Sequence, residues 1–139
     1  MLSYLVVFVG AGIGGAARHG MNIWVARLMG THFPWHTLVI NILGSILMGA
    51  IIGWFAERLG AAGHLRLFLA TGIMGGFTTF SAFSLDAVLL WERGETGLAV
   101  AYVLGSVILS LAALLAVKAS WSAGEIPTGN WQPLRLTPN

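Results

Sequence analysis

The chain has 139 residues, of which 57% are hydrophobic and only 9% charged, with a formal net charge of +2 and a mean hydropathy of +0.83. This composition excludes an ordinary soluble domain and predicts an all-α integral membrane protein. The absence of cysteine excludes disulfides and thiolate metal sites. A pI near 9.7 arises from few charges and indicates no nucleic-acid surface.

Four apolar windows follow one another, at about residues 2–28, 35–56, 65–91 and 98–117. Each is long enough to cross a hydrocarbon core of ~30 Å, so we predict four transmembrane helices. Short glycine-containing links force neighbouring helices to run antiparallel. We therefore expect one membrane domain over residues 1–121 and a polar, loosely ordered tail over residues 122–139. The first window lacks the basic start of a cleavable signal peptide.

Polar side chains that are costly in lipid occur in both of the first two windows. The first contains Arg18 and Asn22. In the second, Thr37, Asn41 and Ser45 recur every four residues and form a polar stripe along one helix face. Such residues at membrane depth are candidates for function.

The third window is interrupted at its centre, where three glycines within residues 72–76 precede Thr78 and Thr79. Glycine and β-branched residues weaken a helix, so we predict main-chain carbonyls near residues 75–79 without intrahelical partners. In lipid, non-helical backbone survives where protein buries it, where it lines a hydrated path or where it binds an ion. The interruption is therefore the predicted centre of function.

The polar and aromatic side chains around this break favour an anion. Phe80 and Phe83 project from similar faces, and the edges of their rings carry partial positive charge. The amide of Asn41 and the permanent charge of Arg18 also suit an anion. Asp86 is the one acidic residue inside the spans, which argues against a cation pump driven through carboxylates.

Tyr102, Ser106 and Ser110 form a second polar stripe, on the fourth predicted helix. Two stripes on separate helices can face each other across a narrow hydrated track, which we favour beside a broken helix. The alternative is that these residues only hydrogen-bond helices together.

Cationic residues barely distinguish the two sides of the membrane. Four would share the side of the N-terminus and up to three the other side: Arg58, Arg66, Lys118 and Arg135 against Arg27, Arg93 and Arg18. A weak bias permits insertion in both orientations, and hence an antiparallel pair of subunits, whereas a single orientation remains the alternative.

Three motifs together resemble one family. Residues 75–84, Gly-Gly-Phe-Thr-Thr-Phe-Ser-Ala-Phe-Ser, closely resemble the third-helix signature of the Fluc (also called CrcB) fluoride channels. Residues 12–18 look like the glycine and arginine motif of the first helix, and residues 30–37 with 41–44 look like the second-helix pattern. The resemblance covers roughly residues 5–117 in order. Ala82, His19 and Leu114 depart from residue types frequent in the family.

The resemblance implies a fluoride-selective channel in the bacterial inner membrane, a dual-topology, antiparallel homodimer with two pores and a structural sodium ion at its axis. It implies that Phe80 and Phe83 flank dehydrated fluoride, that Asn41 lines the pore, and that the carbonyls of Gly75 and Thr78 hold sodium. Arg18 would draw anions into a vestibule. The other pore residues it implies are Thr37, Ser81, Tyr102, Ser106 and Ser110.

Two other functions are considered. A small proton-coupled multidrug exporter would need a membrane-embedded carboxylate, for which Asp86 is the candidate. A non-transporting assembly subunit would use glycine pairs such as Gly10 and Gly14 only to bring helices close. The sequence contains no plausible catalytic constellation or nucleotide-binding loop, so we predict a channel and not an enzyme.

Overall fold

The computed structural model describes residues 1–57 and 63–122 of the chain. Some predicted features lie outside the described residues: Arg58, most of the link between the second and third windows, and residues 123–139 of the tail. The described elements are α1 (Leu2–Met29), α2 (Trp35–Glu57), α3 (Gly63–Arg66), a π-helical stretch (Leu67–Met74), α4 (Gly75–Phe77), α5 (Phe80–Glu92) and α6 (Thr96–Ser122). The all-helical prediction is confirmed.

Among the described residues, three helical segments are long and apolar enough to cross a membrane: Trp35–Ala56, Gly63–Glu92 and Thr96–Trp121. They coincide with the second, third and fourth predicted windows. α1 has 28 residues and extends about 42 Å at the helical rise per residue, so its length suffices for another span. It is less apolar than the others, and the fourth span stays a prediction.

Two glycines end helices where the sequence predicts links. Gly30 follows α1 with φ 78°, and its amide donates to the carbonyl of Ala26. Gly94 follows α5 with φ 77°, a left-handed conformation that glycine adopts without a steric penalty. Pro34 then precedes α2, where a proline costs no helical hydrogen bond.

The third segment is broken near its centre, but its glycines do not form the break. Gly75 has helical dihedral angles (φ −63°, ψ −36°), and α4 continues through Phe77. The backbone becomes extended at Thr78 (φ −79°, ψ 157°) and Thr79 (φ −151°, ψ 118°) before α5 begins. β-Branched residues favour extended backbone, which accounts for the position of the break.

The glycines instead let α1 approach the π-helical stretch and α4 closely. Gly10 and Gly72 face each other, and a Cβ on Gly10 would lie 2.9 Å from the Cα of Gly72. A Cβ on Gly14 would overlap the carbonyl oxygen of Ile73 and lie 2.8 Å from the amide nitrogen of Phe77. This close contact of backbones is the small-residue packing typical of membrane helices.

Gly14→Ala is expected to destabilise the protein by about 2 kcal/mol or more, because the new methyl meets backbone that cannot rotate away. Gly12→Ala is the matched control, since a Cβ there has nothing within 4 Å and alanine favours the helix. Thermal unfolding in detergent measures both. Equal stability of the two variants would contradict the close packing of α1.

Two buried clusters hold the remaining helices together. One joins α2 to the π-helical stretch and α4 through Ile40, Met74 and Phe77. The other joins α2, α5 and α6, and its buried members are Leu38, Phe83, Leu90, Ala99 and Tyr102. The break therefore lies between the two clusters and against α2.

Candidate functional site: a cleft at the helix break

A cleft of about 400 Å³ opens beside the break, between α2, the start of α5 and α6. It is lined by part of each predicted polar stripe, by the threonines of the break and by both predicted phenylalanines. Its polar and aromatic lining residues are Asn41, Ser45, Thr78, Thr79, Phe80, Phe83, Ser106 and Ser110. Within the described residues, no acidic or basic side chain lines it.

Asn41 holds the broken backbone with both ends of its side-chain amide. Its Oδ1 accepts the backbone N–H of Thr79 at 3.0 Å, and its Nδ2 donates to the carbonyl of Thr79 at 3.2 Å. An amide has two N–H donors, so the second remains for the cleft. Asn41 thus stabilises the extended backbone and lines the cleft at the same time.

The break withdraws amide donors from two particular carbonyls. In a continuous α-helix the amide of Thr79 would donate to the carbonyl of Gly75, but here it donates to Asn41. The amide of Ala82 would likewise reach the carbonyl of Thr78, but it donates to Oγ1 of Thr79 at 3.2 Å, the N-cap of α5. Both carbonyls that the resemblance implies as sodium ligands thus lose their helical donors.

Two serine hydroxyls on α6 are buried without a hydrogen-bond partner in the part of the chain that the structure describes. The Oγ atoms of Ser106 and Ser110 are buried and make no hydrogen bond to any described residue. Buried hydroxyls are normally paired, so these two sites call for water or a ligand in the cleft. Ser81, by contrast, is exposed, and its Oγ lies 3.3 Å from Oγ1 of Thr79.

Asp86, whose role the sequence leaves open, is a hydrogen-bond acceptor for both polar stripes. Its Oδ2 accepts the hydroxyl of Thr37 at 2.6 Å and that of Tyr102 at 3.3 Å. Both donors are almost completely buried. The carboxylate thereby joins α2, α5 and α6, and neither it nor the two hydroxyls line the cleft. Periodicity places Thr37 and Tyr102 on their stripes but does not show that a third helix lies between them.

Asp86→Ala is expected to destabilise the protein by about 1–3 kcal/mol, because two buried hydroxyls lose their acceptor. Glu92→Ala, an exposed acid on the same helix, is the control and should change stability little. Thermal unfolding in detergent measures the difference. Asp86→Asn, which keeps an acceptor oxygen, should recover part of the loss, and no difference from Asp86→Ala would contradict this account.

A row of aromatic rings leads from the cleft past Tyr102 on α6 to Phe33, in the link before α2. The ring centroids of Phe80 and Phe83 are 5.4 Å apart, and those of Phe83 and Tyr102 are also 5.4 Å apart. Phe33 meets Tyr102 edge-on at 5.6 Å. Phe83 is buried with 8% of its surface exposed, whereas Phe80 is 78% exposed and projects away from the subunit.

Five predicted site residues do not line this cleft: Thr37, Ser81, Tyr102, Arg18 and Gly75. Arg18 is half-buried on α1 and is not among the lining residues. Gly75 is exposed, and a Cβ there would have nothing within 4 Å.

Comparison with known proteins places the chain in a family. The sequence profile of the family described as CrcB-like protein, Camphor Resistance (CrcB), matches residues 5–117. The chain is 57% identical over 115 residues to the fluoride-specific ion channel FluC of Rhodopseudomonas palustris (strain BisB5). The aligned region covers 83% of this chain and 93% of the relative. It is 61% identical over 112 residues to the protein of the same name from Methylobacterium nodulans, covering 81% of this chain and 90% of the relative. The profile covers most of the chain, including every residue that lines the cleft, and the relatives are 57% and 61% identical over most of their length, so the chain belongs to the CrcB family.

Proposed function

We propose that the protein is a fluoride-selective channel that exports fluoride passively. Its relatives carry the name fluoride-specific ion channel. The interior-negative membrane potential pushes anions outward, so an open path lowers cytoplasmic fluoride without an energy source. The protein would lie in the bacterial inner (plasma) membrane with four spans, α1 being the fourth.

The chemistry of the cleft carries this proposal. Its free polar groups are the second N–H of Asn41 and the hydroxyls of Ser106 and Ser110, all of which can donate to an anion. Ring edges of Phe80 and Phe83 add positive potential without a fixed charge. The same cleft disfavours a proton-coupled exporter, because Asp86 does not line it and already accepts two hydroxyls.

We further propose that two antiparallel subunits form the channel, with two pores along their interface. The position of Phe80 supports this, since its ring lines the cleft and yet is 78% exposed, so the cleft is open on this side in one subunit. Phe80 and Phe83 would flank the fluoride, while Tyr102, Ser106, Ser110, Thr37 and Ser81 would continue the path. Arg18 would lie in a vestibule that attracts anions.

A structural sodium ion is proposed at the axis of the dimer. The carbonyls of Gly75 and Thr78, two from each subunit, would hold it, and both have lost their helical amide donors. Neutral carbonyl oxygens suit a hard cation, which would supply positive charge to otherwise unsatisfied backbone. Replacing sodium by a large organic cation should lower the thermal stability of the dimer, and an unchanged stability would refute this site.

Liposomes that contain the purified protein and a fluoride gradient test the transport function. With a potassium gradient and ionophore to balance charge, a fluoride electrode should record rapid efflux, and a matched chloride gradient should give much slower efflux. Equal rates for the two anions would refute selectivity. No efflux above protein-free liposomes would favour a non-transporting subunit.

Cysteine labelling tests the dual topology. The chain has no cysteine, so Thr31→Cys, in the exposed link before α2, supplies a single site. A membrane-impermeant maleimide added to intact cells should label about half of the sites if both orientations occur. Complete labelling or none would show a single orientation.

A further inference from the structure

The break is held by α2 at a second point, where Gly44 receives a side chain from the break. Gly44 is buried, and a Cβ built on it would overlap Cγ2 of Thr78. The next atoms, Cδ1 of Phe77 and Cβ of Thr78, lie at 3.6 Å. The methyl group of Thr78 therefore occupies the space that a side chain at position 44 would fill.

The other branch of the Thr78 side chain is anchored as well. Its hydroxyl donates to the carbonyl of Met74 at 2.9 Å, the oxygen that also accepts the backbone amide of Thr78 at 3.0 Å. Threonine has few χ1 rotamers, and moving the methyl away from Gly44 would rotate the hydroxyl away from Met74. One rotamer satisfies both contacts.

α2 thus fixes two consecutive residues of the break by different means. Asn41 binds the amide and carbonyl of Thr79, and Gly44, one turn later, fits the methyl of Thr78. The peptide between the two threonines carries the carbonyl of Thr78. With residues on both sides of it held by α2, this carbonyl has a defined direction.

We propose that Gly44 is a positioning residue for the Thr78 carbonyl, acting through the methyl group of Thr78. The proposal rests on the cation site proposed above for that carbonyl. Gly44 also lines the cleft, but the role proposed here is exerted through Thr78. Because Gly44 has no side chain, the methyl group of Thr78 fits against α2 in the rotamer that also keeps its hydroxyl on Met74.

Moving one methyl between the helices tests this role. Gly44→Ala adds a methyl where the Thr78 methyl lies, and it should lower fluoride efflux about tenfold. Thr78→Ser removes the competing methyl but keeps the hydroxyl for Met74. Adding Gly44→Ala in the Thr78→Ser background should then cost less than about twofold, because the total volume is conserved.

Two further measurements separate positioning from damage to the fold. Gly44→Ala should raise the sodium concentration that gives half-maximal efflux, whereas partial misfolding would lower the rate equally at every sodium concentration. In micelles, threonine labelled with ¹³C at its methyl should show a nuclear Overhauser contact between the Thr78 methyl and the Hα atoms of Gly44. This contact is measured without transport.

Equal costs of Gly44→Ala in both backgrounds would overturn the proposal, as would absence of the methyl contact in the unaltered protein. If the unaltered protein moved no fluoride, the proposed channel function would be wrong. The nuclear Overhauser contact between Thr78 and Gly44 would then remain as the test of this proposal, because it does not depend on transport. An unchanged sodium requirement in Gly44→Ala would exclude positioning of the carbonyl.

Discussion

Asn41→Asp is expected to reduce fluoride efflux by at least about 100-fold. A carboxylate at this place faces the cleft that we propose as the anion path. Two like charges about 4 Å apart repel by roughly 4 kcal/mol at an effective dielectric constant of about 20. Tenfold in rate corresponds to about 1.4 kcal/mol, so even a partly screened charge reaches this loss. A fluoride electrode and reconstituted liposomes supply the measurement.

The same substitution also weakens the break. A carboxylate can still accept the amide of Thr79, but it cannot donate to the Thr79 carbonyl, which it repels. Asn41→Leu separates the two effects, because leucine loses both hydrogen bonds and adds no charge. We expect Asn41→Asp to be slower than Asn41→Leu by about 100-fold, the part that arises from charge. Efflux from Asn41→Asp near that of the unaltered protein would remove Asn41 from the pore.

The sequence predicts the elements of this site better than their connections. Apolar windows of about 20 residues identify the helices because each must satisfy its own backbone in lipid. The spacing of Asn41 and Ser45, and of Ser106 and Ser110, predicts two polar faces, and the structure brings all four residues to one cleft. These inferences succeed because they depend on helical periodicity alone.

Contacts between distant segments could not be predicted in this way. The partner of Asn41, Thr79, is 38 residues away, and the two hydroxyls on Asp86 come from two other helices. Such pairs depend on the rotation of each helix about its axis, which local periodicity does not determine. The glycines were misleading for a related reason. Their low helix propensity suggested a break, whereas all three are helical and two of them, Gly72 and Gly76, pack against α1.

Phe80→Ile is expected to lower fluoride efflux about 30-fold while leaving the fold of the subunit intact. Contact between a desolvated ion and an aromatic quadrupole is worth about 2 kcal/mol in the attractive geometry, and isoleucine keeps apolar volume without a positive ring edge. Because 78% of Phe80 is exposed, the subunit loses little buried area with the ring. Phe83 would be a poorer choice, since its ring packs on Tyr102 and any loss of efflux would include a loss of packing.

Phe8→Ile is the matched control for this prediction, because Phe8 on α1 is 76% exposed and does not line the cleft. Both substitutions remove a phenyl ring of the same exposure, so any general effect of the exchange on insertion or lipid contact should appear in both. Of these two residues, only Phe80 presents an electropositive ring edge to the proposed anion path. Efflux should therefore fall in Phe80→Ile and remain within about twofold of the unaltered protein in Phe8→Ile. Equal efflux from the two variants would mean that Phe80 fills space between subunits and that the donors of α2 and α6 recognise fluoride without it.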